Sequence, residues 1–394
     1  MVDQFNVGTN IIYGNDALNH LETFKNKDIF IVTDRGMVEL GIVNKVEEYL
    51  NTHNNNCSVF TEVEADPSKE TVSRGLAEYQ QVKPDILIGL GGGSAIDAAK
   101  AILYFSIKMQ KVFINENAVY KPVFIAIPTT SGTGSEVTSY SVVTDKENKM
   151  KIPLTSDTMV PDVALLDERL TATIPPHITV DTGMDTLTHS LESLVSSHAT
   201  PFTDIFAEKA IKLVSENIIK AYHDGSNLEV RKELHIASTM AGIAFNNASL
   251  GINHSLAHSI GATFGISHGR SNAILLPYVI AYNAGLYDRT IYKSKTAEKY
   301  RTVVRWMGVD TESSEKGTLK LIEKIVDLNK KLSIPITLKA YGLEQNAFAE
   351  QLPMMVDSAL RDTCTSGNPK NVTKKDLSTI LANTYSGYLL PRIE

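Results

Sequence analysis

Short apolar runs alternate with amphipathic stretches through the first 180 residues of the chain. The amphipathic stretches have the 3.6-residue period of helices and lie at residues 37–50, 69–82 and from a Ser94 cap to about residue 105. The apolar runs predict buried strands at residues 28–34, 58–62, 85–90, 122–128 and 162–167. This alternation predicts an α/β domain with a parallel, doubly wound sheet and helices on both faces.

The pattern changes after the tandem proline Pro175-Pro176. From about Asp181 onward the helical period dominates and β-branched runs are scarce. Proline continues neither a helix nor a central strand, so the pair marks a natural break. A length of 394 residues also exceeds what one hydrophobic core usually supports. The sequence therefore predicts an α/β domain at residues 1–180 and an all-helical domain at residues 181–394.

Two small-residue turns follow predicted strands in the first domain. The first, Gly89-Leu-Gly91-Gly92-Gly93-Ser94, precedes a helix that carries Asp97. Strand, glycine turn and helix N-terminus together can bind a phosphate through backbone N–H groups. The motif departs from G-x-G-x-x-G at Ser94, and such a turn can also be purely structural. The second turn, TTSGTGS at residues 129–135, is rich in hydroxyls. Two such turns at the carboxyl edge of a parallel sheet favour a dinucleotide site.

Asp34 ends the first clear strand and is a candidate to read the cofactor's adenosine ribose. A carboxylate at this place accepts a hydrogen bond from a ribose hydroxyl and repels a 2′-phosphate. The residue therefore favours NAD over NADP, although an Asp after a strand is also a common turn former.

Histidines and an aspartate cluster in the second domain at helical spacing. Asp185 and His189 lie four residues apart, as do His254 and His258, and His268 follows beyond a glycine-containing turn. Side chains four residues apart share one helix face. One carboxylate with several imidazoles suits Fe²⁺ or Zn²⁺ better than Mg²⁺ or Ca²⁺. Spacing alone allows both His254 and His258 to bind one metal ion.

Charge and cysteine content narrow the classes of partner and compartment. A formal charge of −7 disfavours nucleic acid and anionic membrane as partners, since both need a basic surface. The two cysteines lie far apart, which suits a reducing compartment. We find neither a secretory signal at the start nor an apolar run of about 18 residues. Cytoplasm is the expected location.

Four long motifs are distributed along the chain: GLGGGSAIDAAK (89–100), IPTTSGTGSEVT (127–138), DTGMDTLTHSLE (181–192) and HSLAHSIGATFGISHGRSNAILLP (254–277). In these motifs and in their order, the chain resembles the iron-dependent (group III) alcohol dehydrogenases over essentially its whole length. Within that family the residues around 181–192 and 200–213 look most similar to propanol dehydrogenases of propanediol utilisation and to related ethanol dehydrogenases. Asp181 stands where many members have a small residue.

The resemblance implies roles for particular residues. It implies that the metal ligands are Asp185, His189, His254 and His268, and that His258 lies near the nicotinamide. It implies that Phe245 lines the substrate pocket and that Asp34 reads the ribose. The cofactor-contacting positions that it implies, with Gly91 of the same glycine turn, are Gly91, Gly92, Gly93, Ser94, Asp97, Thr129, Thr130, Thr138 and Lys151.

The implied reaction moves a hydride between NAD(H) and a short-chain primary alcohol or aldehyde such as propanol/propionaldehyde or ethanol/acetaldehyde. The expected metal is Fe²⁺, with Zn²⁺ as the alternative, and His258 is the expected proton carrier. A diol dehydrogenase acting on 1,3-propanediol, lactaldehyde or glycerol would use the same scaffold. A metallohydrolase and a silent nucleotide-binding module are the alternatives of other classes. We also expect a homodimer or higher homo-oligomer, with an aldehyde-producing partner enzyme and packaging in a bacterial microcompartment as options.

Overall fold

The structure is a computed structural model that describes residues 4–113, 119–147 and 150–388. The chain divides into two compact units. The sheet unit comprises residues 6–174 and 225–246, and the helical unit comprises residues 1–5, 175–224 and 247–394. The domain boundary between residues 180 and 181 stays a prediction.

A six-stranded parallel sheet organises the sheet unit. The strands within the described residues are β1 Asn10–Tyr13, β2 Asp28–Val32, β3 Asn56–Phe60, β4 Ile86–Gly91, β5 Val123–Pro128, β6 Tyr140–Asp145, β7 Met150–Thr155 and β8 Val163–Leu166. The sheet order is β1-β8-β5-β4-β2-β3, with every pairing parallel. Strands β6 and β7 form a separate antiparallel pair. These pairings confirm the predicted parallel sheet.

Apolar cores cover both faces of this sheet, which is why its strands are apolar runs without a polar face. Along β2, Phe30 and Val32 enter one core while Ile29 and Ile31 enter the other. All four side chains are fully buried. The helices of this unit are α1 Arg35–Glu39, α2 Ile42–Asn51, α3 Lys69–Val82, α4 Gly93–Phe113 and α7 Leu228–Ala248, the last belonging to it up to residue 246.

The elements differ from the predicted ones in three places. The helix predicted at residues 37–50 is two helices, because Gly41 has a left-handed backbone with φ of 71° between them. Helix α4 already begins at Gly93, so Ser94 lies inside its first turn and the predicted Ser94 cap is wrong. Strands β1, β6 and β7 were not predicted. The first is a four-residue edge strand, and the pair carries polar and partly exposed residues.

Every regular element described in the helical unit is a helix. Helix α5 begins at Pro176, directly after Pro175, where proline fits the first helical position because its fixed φ suits a helix. None of the described helices combines the length and the apolar character that crossing a membrane requires. The helices of this unit are α5 Pro176–Val195, α6 Pro201–His223, α8 Ile252–Phe264, α9 His268–Ala284, α10 Lys295–Trp306, α11 Ser314–Lys331, α12 Leu338–Tyr341, α13 Gln345–Arg361 and α14 Lys374–Ser386.

Candidate metal and cofactor sites

Three helices of the helical unit bring one carboxylate and three imidazoles together. Asp185 and His189 lie one turn apart on α5, His254 lies on α8, and His268 is the first residue of α9. One ligand atom from each of the four lies within 4.8 Å of every other. The structure thus brings together all four residues that the resemblance implied, and leaves His258 outside this group.

The cluster has the charge distribution of a cation site. Burial alone would raise the pKa of Asp185, but the three imidazoles hold it well below its usual range. Burial opposes the shift at His254, yet the carboxylates of Glu192 and Asp185 raise its pKa to about 9. The cluster therefore favours positive charge beside a carboxylate that is buried, while the side chain of His268 remains 39% exposed.

Two neighbouring residues, Glu192 and Asn272, orient the cluster, and neither was predicted from the sequence. Glu192 Oε2 lies 2.5 Å from His254 Nδ1, which leaves the other ring nitrogen for the cluster. The amide of Asn272 donates to Asp185 Oδ1 at 2.7 Å and lies 3.2 Å from His254 Nε2 and 3.1 Å from His268 Nε2. Helical spacing could have indicated both residues, since Glu192 lies seven residues after Asp185 and Asn272 four after His268.

The donor set fits a divalent transition metal. Three imidazole nitrogens and one carboxylate oxygen suit Fe²⁺ or Zn²⁺. Ligand atoms at about 2.0–2.2 Å from one ion lie no more than about 4.4 Å apart, so small side-chain rotations complete the set. The Glu192 carboxylate accepts a hydrogen bond from the ring of His254, and a carboxylate in this position is usual for a metal-binding histidine.

Asp181, the residue that departs from many family members, anchors the start of α9. Its carboxylate accepts from Arg270 Nε at 2.7 Å and from Ser267 Oγ at 2.6 Å, so it holds the residues on either side of His268. A Cβ atom at Gly269 would lie 2.0 Å from the Asp181 carbonyl oxygen, and only glycine allows this approach. The backbone that carries His268 is therefore fixed to α5.

His258 forms a separate pair with Asp362. Its Nδ1 lies 2.8 Å from Asp362 Oδ2, and its ring stacks on that of His268 with centroids 5.2 Å apart. Burial would raise the pKa of Asp362, but the hydrogen bond and charge of His258 lower it to about 2. The pair places an oriented imidazole beside the four-residue cluster.

The glycine turn of the sheet unit lies at the carboxyl end of β4, where α4 begins. Gly91 has φ of 142°, and a Cβ there would lie 2.8 Å from the Ala95 side chain. A Cβ at Gly93 would lie 2.7 Å from the Thr133 side chain, so the two turns touch where only glycine fits. Gly92 lies against the Thr130 side chain. Backbone N–H groups and the α4 N-terminus are thereby left accessible for a phosphate.

A buried lysine, Lys100, ties the hydroxyl-rich loop to α4. Its Nζ donates at 2.9 Å to Ser135 Oγ, to Thr138 Oγ1 and to the Tyr140 carbonyl oxygen. Ser135 in turn donates to Asp97 at 2.6 Å. Burial lowers the pKa of Lys100 to about 8, against the opposing charges of Asp97 and Glu136. Apart from its place in the first motif, no local sequence pattern distinguishes this lysine.

Helix α7 holds the other side of the same loop within the sheet unit. His235 Nδ1 lies 2.9 Å from Ser131 Oγ, and Thr239 donates to Glu136 at 2.6 Å. A Cβ at Gly134 would lie 2.6 Å from Gly242 Cα, so the loop and helix backbones are in direct contact. The loop at residues 129–138, which includes Thr129, is thus fixed from two sides. Sequence periodicity assigned α7 only to the helical half of the chain.

The remaining predicted cofactor residues join this region through short contacts. Asp34 caps α1 by accepting from the Met37 N–H at 3.2 Å, and a Cβ at Gly91 would lie 3.3 Å from its Oδ2. Ser94 Oγ accepts from the Asp66 N–H at 3.3 Å, and Asp66 forms an ion pair with Lys151.

Phe245 lies buried on α7 in the sheet unit. Its place in a substrate pocket stays a prediction.

Comparison with known proteins identifies the family. The model of the iron-containing alcohol dehydrogenases matches residues 8–168, and the C-terminal model of the Fe-containing alcohol dehydrogenase family matches residues 179–385. The chain belongs to the iron-containing alcohol dehydrogenase family. Membership confirms the predicted resemblance and the predicted alcohol dehydrogenase activity, and it decides against the metallohydrolase and the silent module.

Individual members of the iron-containing alcohol dehydrogenases are similar over their whole length. The NADPH-dependent butanol dehydrogenase of Clostridium saccharobutylicum is 39% identical over 393 residues, which cover 98% of both chains. The 1-propanol dehydrogenase PduQ of Salmonella typhimurium is 37% identical over 382 residues, covering 96% of this chain and 99% of that one. The crystal structure of a 1,3-propanediol oxidoreductase has a TM-score of 0.86 at 31% identity, with 98% and 100% covered.

The role of Asp181 in this dehydrogenase can be tested through metal affinity. Replacing Asp181 with alanine should weaken metal binding by about 10- to 100-fold, the usual effect of losing a group that orients a ligand. The measurement is competition with a chromophoric chelator, with circular dichroism to show that the helices remain. Asp357→Ala removes an exposed ion-pairing carboxylate of the same unit and is the matched control. Unchanged affinity in Asp181→Ala would mean that Asp181 has no part in placing His268.

The buried His235 should make the folded state acid-sensitive. Burial lowers its pKa to about 4 from the ordinary 6.5, so between these values the unfolded chain binds more protons than the folded one. Stability should therefore fall as the pH drops from about 6.5 to about 4, by up to about 3 kcal/mol from this residue.

Replacing His235 with asparagine should remove this part of the pH dependence, because asparagine does not titrate. Urea unfolding across this pH range measures it, with the exposed His223→Asn as control. An identical pH slope in His235→Asn and the unmutated protein would contradict the assignment.

Proposed function

We propose that the protein is an NAD(H)-dependent dehydrogenase that interconverts short-chain aldehydes and primary alcohols at a bound Fe²⁺, with Zn²⁺ as the alternative ion. The observation that carries the proposal is the buried group of Asp185, His189, His254 and His268. A carboxylate with three imidazoles gives a divalent ion four ligands and leaves room for a substrate oxygen.

The residues around the cluster prepare it for this reaction. Glu192 orients His254, Asn272 donates to Asp185, and Asp181 fixes the backbone beside His268. When bound, the divalent ion acts as a Lewis acid toward the substrate oxygen, and the nicotinamide ring supplies or accepts the hydride. Near absence of water around the carboxylate strengthens each electrostatic interaction at the site.

His258 is the proposed proton carrier of the reaction. Asp362 accepts a hydrogen bond from Nδ1–H in the tautomer that the pair favours, which leaves Nε2 as the basic nitrogen. The same arrangement of carboxylate and imidazole stabilises the imidazolium that forms when Nε2 takes up a proton. The stacking of His258 on His268 supports its place next to the substrate oxygen.

The cofactor is the proposed ligand of the two turns in the sheet unit. The N-terminus of α4 and the backbone of Gly92, Gly93 and Ser94 would bind the pyrophosphate. Thr129, Thr130, Thr138, Asp97 and Lys151 would line the rest of the site, and Asp34 would accept from the adenosine ribose.

The relatives support a short aldehyde as substrate. These relatives are named for butanol, 1-propanol and 1,3-propanediol. A diol-type dehydrogenase is the second candidate, favoured by the structural similarity to the 1,3-propanediol oxidoreductase. We further propose that Phe245 lines the substrate pocket and that the enzyme works as a homodimer or higher oligomer in the cytoplasm. Packaging in a microcompartment beside an aldehyde-producing enzyme is an extension of the same proposal.

The test is an anaerobic assay of the Fe²⁺-loaded protein with acetaldehyde, propionaldehyde, butyraldehyde and 3-hydroxypropionaldehyde. Loss of NADH absorbance with the three simple aldehydes supports the main proposal. Activity confined to 3-hydroxypropionaldehyde selects the diol-type dehydrogenase, and no activity with any of the four contradicts both.

Asp34 should make NADH the better cofactor by about 10- to 100-fold in kcat/KM. Two like charges about 4 Å apart at an effective dielectric of 20 repel by about 4 kcal/mol, and partial screening reduces this. Asp34→Asn keeps an oxygen that can cap α1 and removes the charge, so the preference should fall to within a few-fold.

Kinetics with NADH and NADPH on both proteins give the answer, and the comparison matters because one relative is NADPH-dependent. Equal efficiency with both cofactors in the unmutated protein would overturn the role of Asp34.

His258 and His268 should respond differently to replacement. His268→Ala should lose metal and activity together, since it removes one of four ligands. His258→Gln should keep stoichiometric metal while turnover falls by roughly 10²- to 10⁴-fold, the usual contribution of general acid–base catalysis.

Metal analysis of the two variants beside their kcat values decides between the roles. Metal loss from His258→Gln with retention in His268→Ala would reverse the two assignments.

A further inference from the structure

A second group of potential metal ligands lies in the helical unit, next to the four-residue cluster but sharing no residue with it. His258 belongs to α8, and Asp362 and Cys364 belong to the turn that directly follows α13. A ring nitrogen, a carboxylate oxygen and the sulfur of these three residues all lie within 4.8 Å of one another. None of the three is among the ligands proposed for the catalytic metal.

The turn holds these donors in place. Asp362 Oδ1 accepts from the Cys364 N–H at 2.8 Å, and Oδ2 lies 2.8 Å from His258 Nδ1. The carboxylate thus lies between the imidazole and the residue that carries the thiol. The side chains of His258 and Asp362 remain 28% and 19% exposed, so an ion from solvent can reach them.

Other roles explain this group less well. A nucleophilic thiol needs a lowered pKa, whereas in the metal-free protein burial and the carboxylates of Asp362 and Glu192 raise the pKa of Cys364 well above its usual value. A bound ion deprotonates a thiol that coordinates it, so the raised pKa disfavours a free nucleophile and leaves a metal ligand possible. Orienting His258 requires only Asp362 and gives no reason for a thiol at the same place. Imidazole, carboxylate and thiolate are, however, the three ligand types of zinc sites, and three of them leave an open fourth position.

We propose that His258, Asp362 and Cys364 form a second metal site, which takes a thiophilic divalent ion such as Zn²⁺ or Co²⁺. Binding forms one bond each from nitrogen, oxygen and sulfur to the ion. The thiol proton passes to solvent, the imidazole binds as the neutral ring with its one proton on the nitrogen that does not bind the ion, and no electrons are transferred. Thiolate and carboxylate together neutralise the two charges of the ion, which favours binding in a partly buried place.

Occupation of this site has a consequence that rests on the proposed function. If His258 carries the proton, an ion bound to its ring removes it from catalysis. Excess Zn²⁺ should then inhibit the dehydrogenase in proportion to occupation of the second site, while the catalytic metal remains bound.

Cobalt titration tests the site without turnover, on protein that carries one equivalent of Zn²⁺ in the four-residue cluster, so that the second site is free to bind Co²⁺. Only a site with a cysteine ligand gives a thiolate-to-cobalt charge-transfer band, and the four-residue cluster has none. We expect a band that saturates at one equivalent of Co²⁺. Cys364→Ser should abolish the band and weaken binding of this equivalent at least about tenfold, as loss of a ligand must at minimum match loss of a group that orients one.

Cys57→Ser is the matched control, because Cys57 lies on β3 in the sheet unit and is the other cysteine of the chain. It should keep the band. His258→Gln should shift the band and weaken binding, and it serves as a second variant if Cys364→Ser does not fold. Absence of a band in the unmutated protein, or its persistence in Cys364→Ser, would overturn the proposal.

A further variant separates this proposal from the proposed function. His189→Ala removes a ligand of the four-residue cluster and should lose activity while keeping the charge-transfer band. Zn²⁺ inhibition should be strong in the unmutated protein and in Cys57→Ser, and at least about tenfold weaker in Cys364→Ser. A charge-transfer band in a protein without dehydrogenase activity would support the second site and refute the proposed function. Dehydrogenase activity without a band would support the proposed function and refute the second site.

Discussion

The arrangement of the helical unit depends on the ionised carboxylate of Asp185, which is almost fully buried. A buried carboxylate is costly unless positive charge or donors surround it. Here three imidazoles and the Asn272 amide converge on it from α5, α8 and α9. His254, His268 and Asn272 lie 69 to 87 residues after Asp185 in the chain, so the packing of the three helices and the chemistry of the site depend on each other. A divalent ion would compensate the buried charge of Asp185 more fully than protons on the imidazoles do.

In the sheet unit a lysine compensates the charge of buried carboxylates. Asp97, Lys100 and Glu136 are charged side chains taken largely out of water, and burial raises the pKa of both acids and lowers that of the lysine. The side-chain hydrogen bonds of Asp97 and Lys100 reach the loop between residues 129 and 140 or the strand that follows, and Glu136, which belongs to this loop, accepts from Thr239 on α7. Because breaking one of these bonds would strand a buried charge, the loop has one favoured conformation. That rigidity is useful at a cofactor site, since it reduces the ordering that binding would otherwise require.

How much of this the sequence could predict depends on the range of each interaction. Apolar period and turn chemistry are local, so the parallel sheet, helix α3 and the change to helices after Pro175-Pro176 could be predicted. Helical spacing indicated the pairs Asp185/His189 and His254/His258, and the family resemblance added His268 to the ligands. Helical spacing could not exclude His258 from the metal ligands, because the feature that sets His258 apart is its contact with Asp362, about 100 residues later in the chain. Lys100 and His235 were equally hidden, since their partners lie on other elements. The break at Gly41 required knowing its φ.

Helix α5 shows why the ionised groups stand out so clearly in the sequence. Nearly all its residues from Thr179 to Val195 are buried, so it has no solvent-facing side on which polar residues could lie without cost. Its hydroxyls are satisfied within the helix, as when Thr188 donates to the Met184 carbonyl and Ser190 to that of Thr186. The backbone of the helix cannot satisfy ionisable groups in this way. His189 Nδ1 lies 3.9 Å from Asp185 Oδ2 on the same helix, and Asp185 and Glu192 both contact His254 on α8. Ionisable side chains on a helix that is buried all round therefore indicate a site.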